Sequence, residues 1–234
     1  MTGRSSAIQA KGLSKTFGHR VVLRPLDLEV AEGESVALAG ANGAGKTTLL
    51  RCLSAVMRPS TGEVRWFGCP AAGNIQARRL LGMVAHECFL YGHLTVRENL
   101  VFAARMHDVP QPAQRADDLI GSIGLGRHAQ RLSARLSPGM RQRVAVVRAL
   151  VHDPRILVLD EPFAGLDAEG TDWLVGLLQE LRGRGLALCF ATHDEEKMHC
   201  LADRILRLRD GRLQEVTVRG GEVSAGHLPT ARAA

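Results

Sequence analysis

"GANGAGKTTLL", residues 40–50, sets three glycines, a lysine and two threonines between an apolar run and a helix-forming run. Gly40, Gly45, Lys46 and Thr47 satisfy the pattern GxxxxGK[ST], with Ala41, Asn42, Gly43 and Ala44 between them. In that pattern bare glycines let backbone amides converge on phosphate oxygens, and the positive end of the following helix adds to the attraction. Lys46 is expected to reach the outer phosphates of a nucleotide and Thr47 to place its hydroxyl on Mg²⁺. Thr48 completes the candidate nucleotide contacts. A flexible glycine turn is the competing reading, and it is disfavoured by the flanks. "ESVALAG" reads as a buried strand running into the loop, "TTLLRCLSAVMRPSTG" as a helix stopped by Pro59 and Gly62, and "EVRWFG" as renewed extended structure.

Outward from the loop, "LDLEV" alternates Leu26, Leu28 and Val30 with acids, as a half-exposed strand does. The character changes near residue 87. Thr95 and Glu98 in "TVRENL" form a capping-box pair. Helices are expected from there to about residue 127 and again over 139–152, where Val144, Val147 and Val151 share a face. "RILVLDEP" and "GLALCFATHD" are short apolar runs bounded by breakers, and such runs between helices suggest a parallel sheet covered on both faces. The chain therefore reads as one α/β domain over 1–234, with a core at about 7–86 and 151–215 and a mostly helical insert at about 87–150. Residues 216–234 read as a loose tail.

Composition limits the alternatives. With 234 residues, 45% apolar and 23% charged, the chain can bury a sizeable core. Its net charge of +6 is dispersed and almost wholly arginine, with lysine at 11, 15, 46 and 197. A solvated basic surface is the plain reading, and attraction to anionic lipid or nucleic acid the other. Cysteines 52, 69, 88, 189 and 200 form no CxxC pair and read as reduced thiols of a cytosolic protein. No apolar run approaches the roughly 18 residues of a membrane span.

A phosphate loop needs a metal anchor and a group to activate water. Asp160, at the end of "ILVLD", is a candidate Mg²⁺ ligand through water, and Glu161 a candidate general base. Without the phosphate loop the two acids would read as a solvated turn.

Three further stretches carry a resemblance. "LSPGMRQR" (136–143) resembles the LSGGQ signature of ATP-binding-cassette ATPases, "AGLD" (164–167) their D-loop, and "ATHD" places His193 at their switch histidine. The resemblance extends over about residues 7–215. It implies the P-loop ABC ATPase fold: a RecA-like core, an antiparallel β subdomain and an inserted helical subdomain. It also implies a head-to-tail dimer in which Ser137 and Gly139 of one subunit cap the γ-phosphate of ATP held by Lys46 and Thr47 of the other. On this resemblance Phe17 stacks on adenine, with core packing as its alternative, His193 senses the γ-phosphate, and Asp167 belongs to the D-loop. ATP and Mg²⁺ are the implied cofactors. The implied partners are a second such subunit and integral membrane transporter subunits, with no nucleic acid, and the implied place is the cytoplasmic face of the inner membrane.

Pro138 and Met140 depart from the ideal signature, and His86 stands where the family's Q-loop glutamine sits. His86, Cys88 and His93 in "HECFLYGH" complete no ligand set, so direct metal or haem ligation is not expected. "VAHECFLYGHLTVRENLVFAARMHDV", with the signature stretch, resembles the ATPase of the haem exporters used in cytochrome c maturation. That resemblance implies an export motor for haem delivery. Other exporters of the ABC-2 type, for drugs, polysaccharides or lipids, and soluble non-transport ABC ATPases are the alternatives.

Overall fold

Alternation in "LDLEV" becomes one face of a four-stranded sheet in the computed structural model, which describes residues 5–85, 87–216 and 225–226. Strands β1 (Ser6–Phe17) and β2 (Arg20–Ala31) pair antiparallel, β1 pairs likewise with β4 (Thr61–Trp66), and β4 with β5 (Cys69–Pro70). The order is β2-β1-β4-β5. Leu26, Leu28 and Val30 turn inward while Asp27 and Glu29 stay exposed, the period-2 pattern of a sheet with one wet face.

The second sheet holds β3 (Ser35–Ala39), β6 (Leu81–Val84), β7 (Ile156–Asp160), β8 (Ala187–Ala191), β9 (Arg204–Arg209), β10 (Arg212–Val216) and β11 (Ala225–Gly226), in the order β11-β10-β9-β3-β8-β7-β6. From β6 through β9 the neighbours run parallel, and β10 and β11 close the edge antiparallel. Every residue of β7 and β8 is buried, because helices cover both faces of the parallel part. The strand order brings the carboxyl ends of β3, β8 and β7 side by side, which is where open α/β sheets place their ligands.

Helix α1 (Lys46–Leu53) follows the phosphate loop and ends well before Pro59. The expected longer helix fails locally. The Ser54 hydroxyl donates back to the Leu50 carbonyl at 2.8 Å, and Ala55 turns into the left-handed region at φ 53. Between β6 and β7 lie α2 (Val96–Met106), α3 (Pro112–Ser122) and α4 (Pro138–Ala149). The run expected to continue to residue 127 is broken at Asp108 and Gln111, both at positive φ. The run expected over 139–152 stops at Ala149, so Val151 lies past the helix, though it is fully buried. These three helices share a cluster of their own around Leu100, Ile120, Val144 and Val147. Helices α5 (Ala168–Gly183) and α6 (Glu195–Leu201) complete the chain. The α/β architecture with an antiparallel sheet and an inserted group of helices agrees with the expected fold class.

Two earlier expectations meet the edge of the described residues. His86 lies outside them. Of the tail, Val216 ends β10 and residues 225–226 pair with that strand, while 217–224 and 227–234 lie outside the described residues.

At the foot of α2, where the helices meet β6, His107 and His152 stack with ring centroids 3.7 Å apart and planes 2° from parallel. Burial, then the facing His107, push His152 down to about 4. Burial also lowers His107, with Arg79 and Arg148 adding to it. Both rings are therefore neutral in the fold at pH values where an unfolded imidazole, titrating near 6.5, begins to take up a proton. With the folded pKa depressed, the unfolded state binds more protons below that value, so stability falls as pH drops from about 6.5 toward about 4. The urea midpoint is expected to be lower near pH 5 than near pH 7, and His152→Gln is expected to flatten the difference. Equal midpoints in the unaltered chain would contradict this.

Candidate functional site

The phosphate loop is shaped by what its glycines avoid. A Cβ on Gly40 would stand 2.6 Å from the Leu208 carbonyl oxygen. Gly45 caps α1 at φ 108, with the Val22 and Leu23 side chains 3.1 and 3.2 Å from where a Cβ would be. Neither position admits a side chain without moving the strands behind it. Lys46 is only 7% exposed, and its ammonium donates to the Gly40 carbonyl at 2.7 Å and the Ala41 carbonyl at 3.3 Å.

In front of the loop opens a cleft of about 440 Å³. It is lined by Ala41, Asn42, Gly43, Gly45, Lys46, Thr47 and Thr48, by Asp160, Glu161 and His193 from the neighbouring strands, and by Phe17 and Arg20 from the antiparallel sheet. Gly40 and Ala44 line an adjoining cavity that shares Ala41, Asn42, Gly43 and His193 with the cleft. Arg20 was not singled out in the sequence, where it reads as one more surface arginine; only the β1–β2 pairing, Phe17 opposite Arg20, carries it to the cleft. Phe17 is 47% exposed, with Lys15 Nζ 5.0 Å from its ring centroid. That exposure rules out core packing for Phe17, and Lys15 stands over one face of its ring.

Asp160 ends β7 at 2% exposure, and its Oδ2 has no donor. An unpaired buried carboxylate oxygen beside a threonine-lined cleft suits a hard cation such as Mg²⁺. Glu161 sits at φ 51, a left-handed backbone costing an ordinary residue roughly 1–2 kcal/mol. It is held by its amide, which donates to the Ala191 carbonyl at 2.9 Å. His193, two residues past β8, brings Nε2 to 3.2 Å from Glu161 Oε1. The approach is too oblique for a hydrogen bond, so that buried oxygen keeps its accepting capacity free.

Ser137, Gly139 and Asp167 stand apart from this cleft. Ser137 is the N-cap of α4, its hydroxyl accepting from the Met140 amide at 3.2 Å. Pro138 falls at the first helical position, where a missing amide hydrogen costs nothing, so its departure from the signature pattern is structurally neutral. A Cβ on Gly139 would come within 2.9 Å of the Gly165 carbonyl oxygen, so the signature turn rests directly on its own D-loop stretch. Asp167 caps α5 by accepting from the Gly170 amide at 2.8 Å. Cys88 is half-buried and donates to Gln142, while His93 lies edge-on to Tyr91. Among the described residues no three His, Cys, Asp or Glu side chains are placed to hold a metal ion together.

Comparison with known proteins adds the following. Residues 23–164 match the family model described as ABC transporter. The spermidine/putrescine import ATP-binding protein PotA of Lawsonia intracellularis is 34% identical, over 92% of this chain and 60% of that protein. The sulfate/thiosulfate import ATP-binding protein CysA of Bordetella bronchiseptica is 39% identical, over 90% of this chain and 61% of that protein. The chain thus spans about three fifths of the length of these curated relatives. Among solved structures, the dimeric ATP-binding cassette MJ0796 bound to ADP and Pi superposes with a TM-score of 0.82 at 27% identity, over 92% of this chain and all of that one.

These relatives correct the expected export function. Both are import proteins, so neither the haem-exporter resemblance nor the wider exporter reading stands. The stretch that suggested it has a local explanation. Thr95 and Glu98 cap α2 reciprocally, Asn99 bonds Tyr91, Leu94 and Ser133, and Leu100 is fully buried. Those letters build a helix start and say nothing about cargo.

Proposed function

The chain belongs to the ABC transporter family, and from that premise we propose that it is the ATP-hydrolysing motor of an importer whose path through the membrane is built by other subunits. What supports this reading most is the convergence of Lys46, Thr47, Asp160, Glu161 and His193 on one cleft.

In the proposed cycle the loop amides and Lys46 hold the phosphates, and Phe17 offers its ring to the base. Thr47 and Asp160 would hold Mg²⁺, which when bound neutralises charge on the phosphate oxygens. Glu161 accepts the proton of the attacking water with its carboxylate. His193, beside that carboxylate, contacts the terminal phosphate. Ser137 and Gly139 do not line their own cleft, and in this reading they act on a second copy, head to tail. The dimeric state of the MJ0796 cassette supports the pairing of two copies.

The helices at about 87–150 act as the inserted lobe that transmits closure to the membrane subunits. No helix among the described residues is long and apolar enough to cross a membrane. In this reading the chain sits at the cytoplasmic face of the inner membrane, held by its partners. The named cargoes of the two relatives, a polyamine cation and an oxyanion, are opposite in charge. Cargo choice therefore rests with the membrane partners and not with this motor. The test is to capture the tagged chain from washed, detergent-dissolved membranes and reconstitute what it carries into vesicles. An integral subunit that stimulates ATP hydrolysis, with solute accumulating from the face opposite the motor, is expected. Recovery free of membranes with no stimulation by any membrane component would overturn the reading.

A further inference from the structure

We propose that Gln142 is a positioning residue for hydrolysis: from helix α4 it fixes the Pro162 carbonyl, one residue past Glu161, and ties it to Cys88. The inference rests on Glu161 acting as the base.

Gln142 heads a stripe on α4 that continues through Ala145, Val146 and Ala149, all buried against the sheet. A primary amide at 4% exposure in such a stripe must find partners for both ends. It does so across two loops. Nε2 donates to the Pro162 carbonyl at 2.9 Å, and Oε1 accepts from the Cys88 thiol at 3.4 Å. Burial raises the Cys88 pKa, which keeps the thiol protonated and able to donate.

The Pro162 carbonyl belongs to the Pro162–Phe163 peptide, one residue past Glu161, whose left-handed backbone needs holding on both sides. The Ala191 carbonyl holds it on one side through the Glu161 amide, and Gln142 on the other through Pro162. Gln142 is not among the residues lining the nucleotide cleft, so it acts through Glu161 and not on ATP. Because the same amide bonds Cys88, a shift of α4 or of Cys88 is felt at the base. The aim of the carboxylate thus becomes sensitive to how the inserted helices sit on the core.

The test uses the full chain with Gln142→Leu and Gln142→Glu, each alone and combined with Glu161→Gln. Gln142→Leu is expected to lower kcat about tenfold with the ATP KM within about twofold, the weight of one ordinary hydrogen bond. In the Glu161→Gln background it should change the residual rate by less than about twofold, since no base remains to be aimed. Gln142→Glu keeps the shape, and so serves if the leucine variant does not fold. Its ionised carboxylate cannot donate to Pro162, so its rate relative to the unaltered chain should be low near neutral pH and recover as the carboxyl protonates. An unchanged kcat, or an equal loss with and without Glu161, overturns the positioning role while leaving the base assignment intact. Normal turnover in Glu161→Gln alone removes the base assignment and the positioning role with it.

Discussion

Glu161→Gln is expected to slow ATP hydrolysis by about 10²- to 10⁴-fold and to leave ATP affinity close to that of the unaltered chain. The amide is the same size as the carboxylate and can still occupy the pocket beside His193, but it cannot take a proton from water. The geometry makes this the sharpest of the substitutions. Oε1 of Glu161 is buried without a donor, His193 Nε2 stands 3.2 Å away, and the backbone is held by Ala191. A carboxylate kept unpaired at a cleft wall has its accepting lone pairs ready for water rather than spent on structure. Phosphate release in a single turnover is the measurement. A rate within a few-fold of the unaltered chain would sink the assignment and leave Asp160 as the next carboxylate to consider.

Lys46→Ala is expected to weaken ATP binding by about 10- to 100-fold, because a charge-assisted contact to phosphate contributes about 1.5–3 kcal/mol and each 1.4 kcal/mol is tenfold. Lys46 is nearly buried and folded over its own loop, where it bonds the Gly40 and Ala41 carbonyls. Its removal therefore takes away both the counter-charge and a brace across the loop. Titration calorimetry with ATP reads the loss directly. Glu161→Gln and Lys46→Ala should separate cleanly, one failing in turnover and the other in affinity. A dissociation constant for Lys46→Ala within about threefold of the unaltered chain would show that the ammonium contributes little at the phosphates.

The parts of the molecule that were legible in the sequence are those whose physics is local. The phosphate loop announces itself because a left-handed glycine at 45 and a cramped one at 40 must fall beside the lysine. The Thr95–Glu98 cap is visible because both partners lie within one turn. Strands β7 and β8 are readable as continuous apolar runs because both their faces are covered. What depends on distant neighbours was not legible. The early end of α1 turns on the Ser54 hydroxyl bonding backward, and the exposure of Phe17 on which strand β1 meets. Gln142 left a faint signal, a single amide at the head of an apolar stripe, and its meaning appears only when Pro162 and Cys88 close around it. The direction of transport was misread for the same reason. The export resemblance rests on "VAHECFLYGHLTVRENLVFAARMHDV" together with the signature stretch, whereas Thr95, Glu98 and Asn99 within it serve the fold of α2.

The central claim is that two copies close on ATP, each supplying Ser137 and Gly139 to the other's phosphate loop. The most direct test is the solution mass of the Glu161→Gln chain by light scattering, with and without ATP. One chain is expected without nucleotide, two with it, and a return to one when Ser137→Arg is added to the same chain. A mass that stays at one chain in saturating ATP, or a pair that forms regardless of ATP and of Ser137, would contradict it.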